Sequence, residues 1–394
     1  MSDGDKMPKV DLKSTSHKLS QTDIDFMKIV EKQNLQRVNK LQRMRRNNIV
    51  TGCILGGSVL TRKLTRLPPL PTIRDLVRLY RLRALRQLSQ NFLMDERLTD
   101  RIVKSAGRIE NGYVCEVGPG PGGITRSIIR RAPKKLIVVE KDPRFVPTLE
   151  LLSEACQEFT EMKIEIGDIM SYNLEVAFTD APKMEWADYP PPIHLIGNLP
   201  FSVSTHLIIR WLNAISERRS AWSYGRTRMT LTFQKEVAER MAAPVMHEQR
   251  CRLSVMCQMW CHVNHKFTIP GKAFVPKPDV DVGVVTLTPL RDPLVDLPFK
   301  LVEKVVRQVF NMRQKYALRG AQTLFPEEMK DELGYKIFHL ADIDPTTRPF
   351  QISNDEFARL CYAYRAICND HPSVLDYDFR ACKTAVIEHN AQLE

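Results

Sequence analysis

The stretch HLIGNLPFSVST, His194 to Thr205, brings an apolar run to a halt at asparagine, leucine, proline and a large aromatic. A surface turn accepts Asn and Pro but gains nothing from placing Phe201 in water. An amide, a carbonyl and a flat ring at adjacent positions suit an exocyclic amine on a planar base. The lone pair of such an amine is delocalised into its ring, which makes it a poor nucleophile. Two acceptors at its N–H bonds, the Asn198 side-chain oxygen and the Leu199 carbonyl, favour a more pyramidal and reactive nitrogen. Pro200 restricts Leu199 to an extended conformation and sets where that carbonyl points. Phe201 offers a face on which an extruded base stacks.

A second constellation lies upstream. EVGPGPGG, Glu116 to Gly123, carries glycines 118, 120 and 123 in the spacing G-x-G-x-x-G, between an apolar strand and the helix-permissive ITRSIIRR. Glu140 closes the next strand about twenty residues beyond Gly118, where an acid accepts hydrogen bonds from ribose hydroxyls. Asp168, in the Gly-Asp pair after the third strand, is placed to accept from an adenine amino group, and Asn198 ends the fourth. Ligands of open α/β sheets gather at the carboxyl ends of strands. These four positions therefore define a nucleoside site, with NAD and S-adenosylmethionine both compatible with its first half. A dehydrogenase also needs an acid/base pair; the only nearby histidine, His194, falls inside a strand.

The elements that must position these residues are short β-rich runs alternating with helical ones: YVCEV, KLIVVE, KIEIGD and IHLIGN, then TRMTLTFQ, RLSVMCQMWCHV and VGVVTLTPL, all read as strands. Alternation of this kind implies a parallel sheet with helices on both faces. Beyond Arg291 the β runs vanish, and Val302, Val305, Val306 and Val309 form one stripe of a helix. The expected division is an N-terminal extension over 1–62, an α/β domain over 63–291 and a small all-helical domain over 292–394. Within the extension, a helix is expected from Thr22 to Arg45, followed by the apolar run Ile49–Leu60, too short to span a bilayer. Thr72 is placed to cap a helix with Ile73, Val77 and Tyr80 on one face and Arg74, Arg78 and Arg81 on another.

The chain of 394 residues has ordinary globular composition but a formal net charge of +12. An anionic partner, nucleic acid before a membrane face, is the first inference. Its nine cysteines form no even framework and no secretory signal opens the chain, so a reducing compartment is expected. Cys257, Cys261, His262 and His265 sit close enough in sequence to suggest zinc but lack the Cys-x-x-Cys pairs of structural zinc sites, and the cysteines are read as core positions rather than ligands.

GNLPF, EVGPGPGG, QNFL at Gln90–Leu93, FQKEVAERMA at Phe233–Ala242 and FVPKPDVDV at Phe274–Val282 together resemble the KsgA-type rRNA adenine N6-dimethyltransferases. RLPPLPTIR, GGITRSI, IPGKAFVPKPDVDVGVV and ADIDP are similar to the mitochondrial branch of that family. The resemblance implies a Rossmann-like S-adenosylmethionine-dependent methyltransferase domain with a small helical rRNA-binding domain behind it. Gln90, Asn91 and Leu93 then correspond to the segment that closes over the cofactor, S-adenosyl-L-methionine. Gly118 lies under its methionine part with Gly120 a further cofactor contact, Glu140 holds the ribose, Lys141 flanks it, and Asp168 and Ile169 contact the adenine. Asn198, Leu199, Pro200 and Phe201 grip the target base, and Phe274 stacks on its other side. Phe201 stands where the family more often has Tyr, and Val282 where many members have Ser. The implied activity is dimethylation of two adjacent adenines in a hairpin loop of small-subunit rRNA. The implied setting is the mitochondrial matrix, with a ribosomal-subunit precursor as partner and the chain a monomer. A nucleic-acid-binding transcription factor on the same fold, meeting mitochondrial DNA or the transcription machinery, is the rival reading. Residues 1–60 instead resemble the matrix-side stretch and truncated membrane segment of a coiled-coil cytochrome c oxidase assembly factor. Candidate phosphate contacts are Arg74, Arg78, Arg81, Arg313, Lys315 and Arg319.

Overall fold

The computed structural model describes residues 67, 70–79 and 90–379, all within the compact unit Thr61–Glu394. The expected helix Thr22–Arg45, the apolar run Ile49–Leu60, Tyr80 and Arg81 lie outside the described residues.

Among the described residues there are nine strands: β1 (Phe92–Leu93), β2 (Tyr113–Val117), β3 (Lys135–Glu140), β4 (Glu161–Ile166), β5 (Ile193–Asn198), β6 (Arg228–Gln234), β7 (Cys261–Ile269), β8 (Phe274–Val275) and β9 (Val282–Pro289). Seven form one sheet in the order β4-β3-β2-β5-β6-β9-β7, and β1 with β8 forms a separate two-stranded ribbon. The pairs from β4 through β6 are parallel, while β9 runs antiparallel to both β6 and β7. All of β2, and β3 after Lys135, are buried, as central parallel strands covered on both faces must be. Val114, Leu136, Val138 and Ile196 share a core with Ile102, Val103, Ile128, Leu149 and Leu152 from flanking helices. Beside β2, chain order reverses between β3 and β5, and such a switch point opens a crevice at the carboxyl ends of the strands.

RLSVMCQMWCHV does not form a single strand. Arg252–Trp260 is a helix and β7 begins only at Cys261. Leu253 through Cys257, with Met259 and Trp260, are all buried. A helix covered on nearly every side leaves little polar face to reveal its period. The Thr72 cap does form: its hydroxyl accepts from the Asp75 amide at 3.2 Å, and Asp75 accepts in return from the Thr72 amide at 3.2 Å. This starts the helix Ile73–Leu79.

After β9 the chain is helical, with Phe299–Val309, Ala317–Ala321, Lys330–Ala341 and Asn354–Asp370 as its main elements. Val302, Val305, Val306 and Val309 are fully buried, the stripe expected of them. This part is pinned to the sheet side by Arg250, itself 0% exposed, whose guanidinium donates to the Ile352 carbonyl at 3.0 Å and to Asn354 Oδ1 at 2.9 Å. Trp260 packs against Phe299 with ring centroids 5.0 Å apart.

Candidate active site

The crevice is an open cleft of about 1200 Å³, counting the space at its mouth. Gln90, Asn91, Leu93, Gly118, Gly120, Glu140, Lys141, Asp168, Ile169, Asn198, Leu199, Pro200, Phe201 and Phe274 all line it. Four strand ends and the small ribbon thus bring together residues scattered over nearly half the chain.

At one end, β2 runs into the glycine turn. Gly118 and Gly120 adopt φ of +66° and +55°, a left-handed backbone that side chains disfavour. The Gly120 amide donates to Glu140 Oε2 at 2.9 Å, and the Asp142 amide donates to Glu140 Oε1 at 2.9 Å. Glu140 is 6% exposed. Burial raises its pKa, and the backbone donors work against that rise. Each carboxylate oxygen has more than one acceptor site, so a diol can be received without losing either anchor. Asp168 pairs with Lys141 at 2.8 Å and accepts from the Met170 amide at 2.9 Å. The Lys141 ammonium, followed by that amide, holds the Asp168 carboxyl below the usual range.

At the other end, β5 stops at Asn198. Its Nδ2 donates to the Asn91 carbonyl at 2.9 Å, while its Oδ1 accepts from the Thr232 hydroxyl at 2.7 Å. A carbonyl can only accept, so the Asn91 contact fixes which end of the amide is nitrogen. Leu199 is buried, Pro200 has φ −58° and ψ 130°, and Phe201 opens the helix Phe201–Ser216 half-buried at the cleft wall. Phe274 is 2% exposed and sits on β8, paired with Leu93 of β1.

Three cleft features were not anticipated. Glu116 is 1% exposed, and neither of its oxygens has a hydrogen-bond partner. Burial pushes its pKa up to about 8; the Thr125 hydroxyl offsets part of the rise without reaching hydrogen-bond geometry, and Glu140 adds to it. Its position at the head of EVGPGPGG was the available signal. Phe145 lines the cleft and meets Phe92 edge-on, centroids 5.4 Å apart. Thr232 faces Asn198 across the β5–β6 register, and only that register reveals the pairing.

Arg313, expected on the nucleic-acid surface, instead donates to the carbonyls of Arg250 and Glu248. Its guanidinium is used within the fold, whereas Arg74, Arg78, Lys315 and Arg319 are exposed.

The family model for ribosomal RNA adenine dimethylase matches residues 81–353. The chain belongs to the ribosomal RNA adenine dimethylase family. This dimethylase is 58% identical over 315 residues to "Dimethyladenosine transferase 1, mitochondrial" of Macaca fascicularis, a match covering 80% of this chain and 91% of the relative. It is 55% identical over 324 residues to the protein of the same name from Drosophila melanogaster, covering 82% and 96%. The crystal structure of a dimethyladenosine transferase from Plasmodium falciparum has the same fold, with TM-score 0.54 and 20% identity over 68% of this chain and 95% of that one. Dimethylase membership removes the NAD reading and makes S-adenosyl-L-methionine the cofactor. The cleft suits it: the glycine turn and Glu140 fit a nucleoside, and the orphaned Glu116 carboxyl is chemistry for a ligand that brings hydrogen-bond donors.

Proposed function

We propose that this dimethylase transfers methyl groups to N6 of two adjacent adenines in a hairpin loop of mitochondrial small-subunit rRNA. It acts as a monomer in the mitochondrial matrix on a ribosomal-subunit precursor. The relatives' names support the mitochondrial setting and the dimethyladenosine product. The single observation that carries the chemistry is the Asn198 amide, oriented from both ends at the cleft wall beside Phe201. Those names lend no support to the transcription-factor reading.

S-adenosyl-L-methionine, when bound, supplies a methyl group on a sulfonium, an electrophile that needs no further activation. Gly118 and Gly120 lie under the cofactor, Glu140 holds the ribose with Lys141 flanking it, Asp168 and Ile169 bound the adenine, and Gln90, Asn91 and Leu93 cover the site. Asn198 Oδ1 retains one lone pair beyond the Thr232 bond. That lone pair and the Leu199 carbonyl receive the two N–H bonds of the target amine and concentrate its lone pair on nitrogen. Phe201 stacks on the flipped base, with Phe274 on its far side. The nitrogen that accepts a methyl sheds one proton to water at the open mouth, so a dedicated base is unnecessary. The chain is divided accordingly: an extension over 1–62, the methyltransferase domain over 63–291 and an rRNA-binding helical domain over 292–394.

The test is incubation of the full chain with isotopically labelled cofactor and a small-subunit rRNA hairpin, followed by nucleoside mass spectrometry. N6,N6-dimethyladenosine at two neighbouring positions is the expected product; unlabelled RNA refutes the assignment.

A further inference from the structure

A second concave surface lies outside the cleft, lined by Arg97, Asp100, Arg101, Lys104, Ser105, Arg131, Lys266 and Phe267. Three elements build it. The helix Glu96–Ser105 buries Thr99, Ile102 and Val103 and presents Arg97, Arg101 and Lys104 on the opposite side, at spacings of four and three. Arg131 follows the helix Gly123–Ile129. Lys266 comes from a bulge in β7, where the pairing register skips between His265 and Phe267, so an extra exposed residue faces outward.

The charge balance of this surface is one-sided. Its acid, Asp100, is engaged by Arg130 at 2.9 Å, and the same guanidinium holds Glu96 at 3.1 Å. Among the described residues no carboxylate bridges to Arg97, Arg101, Lys104 or Lys266. The Arg101 guanidinium lies over the Phe267 ring, 3.8 Å from its centroid. Stacking occupies the face of a guanidinium and leaves its N–H edge directed outward, the geometry that suits a phosphate. Four cations without acidic partners in one concavity repel one another, and a polyanion relieves that repulsion. The surface is also continuous with the active site, because the helix carrying Arg97 begins three residues after Leu93 on the cleft wall.

We propose that this flank is a phosphate-binding surface for the double-stranded stem beneath the methylated loop, distinct from the helical domain. The inference rests on the rRNA reading above. The surface holds the stem while the loop enters the cleft, and it reads backbone charge without regard to sequence.

The test uses the full-length triple variant Arg101→Ala, Lys104→Ala, Lys266→Ala, whose residues are all exposed and outside the cleft. Hairpin RNA affinity is measured across a salt series, with cofactor affinity and melting temperature as controls for folding. The expected result is at least a tenfold loss of affinity at low salt. The slope of log K against log salt should flatten by roughly two to three, about one per lost phosphate contact. The kcat at saturating RNA should stay within twofold of the parent. A second variant that keeps every charge, Arg101→Lys, Lys104→Arg, Lys266→Arg, should retain most of the affinity and of the salt slope. An alanine variant with the parental slope and affinity overturns the proposal, as does one in which kcat falls while RNA affinity holds. A parent enzyme that binds the hairpin with its full salt slope but transfers no methyl refutes the activity and leaves the surface standing.

Discussion

Replacing Thr232 by Val isolates the orientation of the Asn198 amide. Thr and Val have nearly the same shape, Thr232 is 0% exposed, and the substitution removes the hydroxyl that donates to Asn198 Oδ1 at 2.7 Å. The net value of a neutral hydrogen bond is about 0.5–1.5 kcal/mol. The Nδ2 contact to the Asn91 carbonyl survives, so the amide loses one of its two restraints. If that loss falls on the reacting geometry, the barrier rises by a similar amount, and about 1.4 kcal/mol is a tenfold change in rate. The expected outcome is a three- to tenfold fall in the single-turnover rate of methyl transfer to the hairpin. The KM for RNA and the cofactor Kd should stay within twofold. Thr232→Ser keeps the hydroxyl and should recover most of the rate. A Val variant as fast as the parent, or a Ser variant as slow as Val, would refute the reasoning.

Asn198→Ala should abolish methyl transfer and, because Nδ2 also anchors the Asn91 segment of the cofactor wall, weaken cofactor binding by about 1 kcal/mol; calorimetry beside the activity assay checks both. Glu140→Ala should weaken cofactor binding by about 1.5–3 kcal/mol, the scale of bonds to a charged group, and unchanged affinity in a titration would remove Glu140 from the ribose site. Glu116 has its pKa raised from 4.5 to about 8 on folding, so between these values the folded state holds more protons than the unfolded one and stability declines as pH rises. The cofactor-free protein should therefore lose melting temperature across that window, and Glu116→Gln should flatten the loss. His194, buried and pulled down to about 3, acts in the opposite sense below 6.5, so the difference between parent and variant is the quantity to read.

The central parallel strands were legible in the sequence because each is a short apolar run with Gly or a polar residue at or just after its end. YVCEV, KLIVVE and IHLIGN coincide with β2, β3 and β5. The candidate site residues line one cleft because strand ends and glycine turns are local signals that topology then gathers. What failed to show had no local signal. Arg252–Trp260 is buried on nearly every face, so its helical period is hidden. The β1–β8 ribbon joins two-residue strands far apart in the chain, which no propensity marks. Thr232 joins the Asn198 amide only through its register, and Arg313 is drawn into the fold only because two backbone carbonyls lie within its reach.

That ribbon has a consequence for turnover. Phe92 and Leu93 on one strand and Phe274 on the other line the same cleft, the two strands paired side by side. The proposed cofactor and base subsites therefore share a wall, and a displacement of one strand bears on the other. Whatever settles the ribbon from one side settles it for the other, and the thermodynamics of such a shared part are mutual. Two methyl groups on one nitrogen require the spent cofactor to leave in between. On the proposed roles, a ribbon freed by that departure steadies the half-finished base less, which favours release after the first round over holding the base through both.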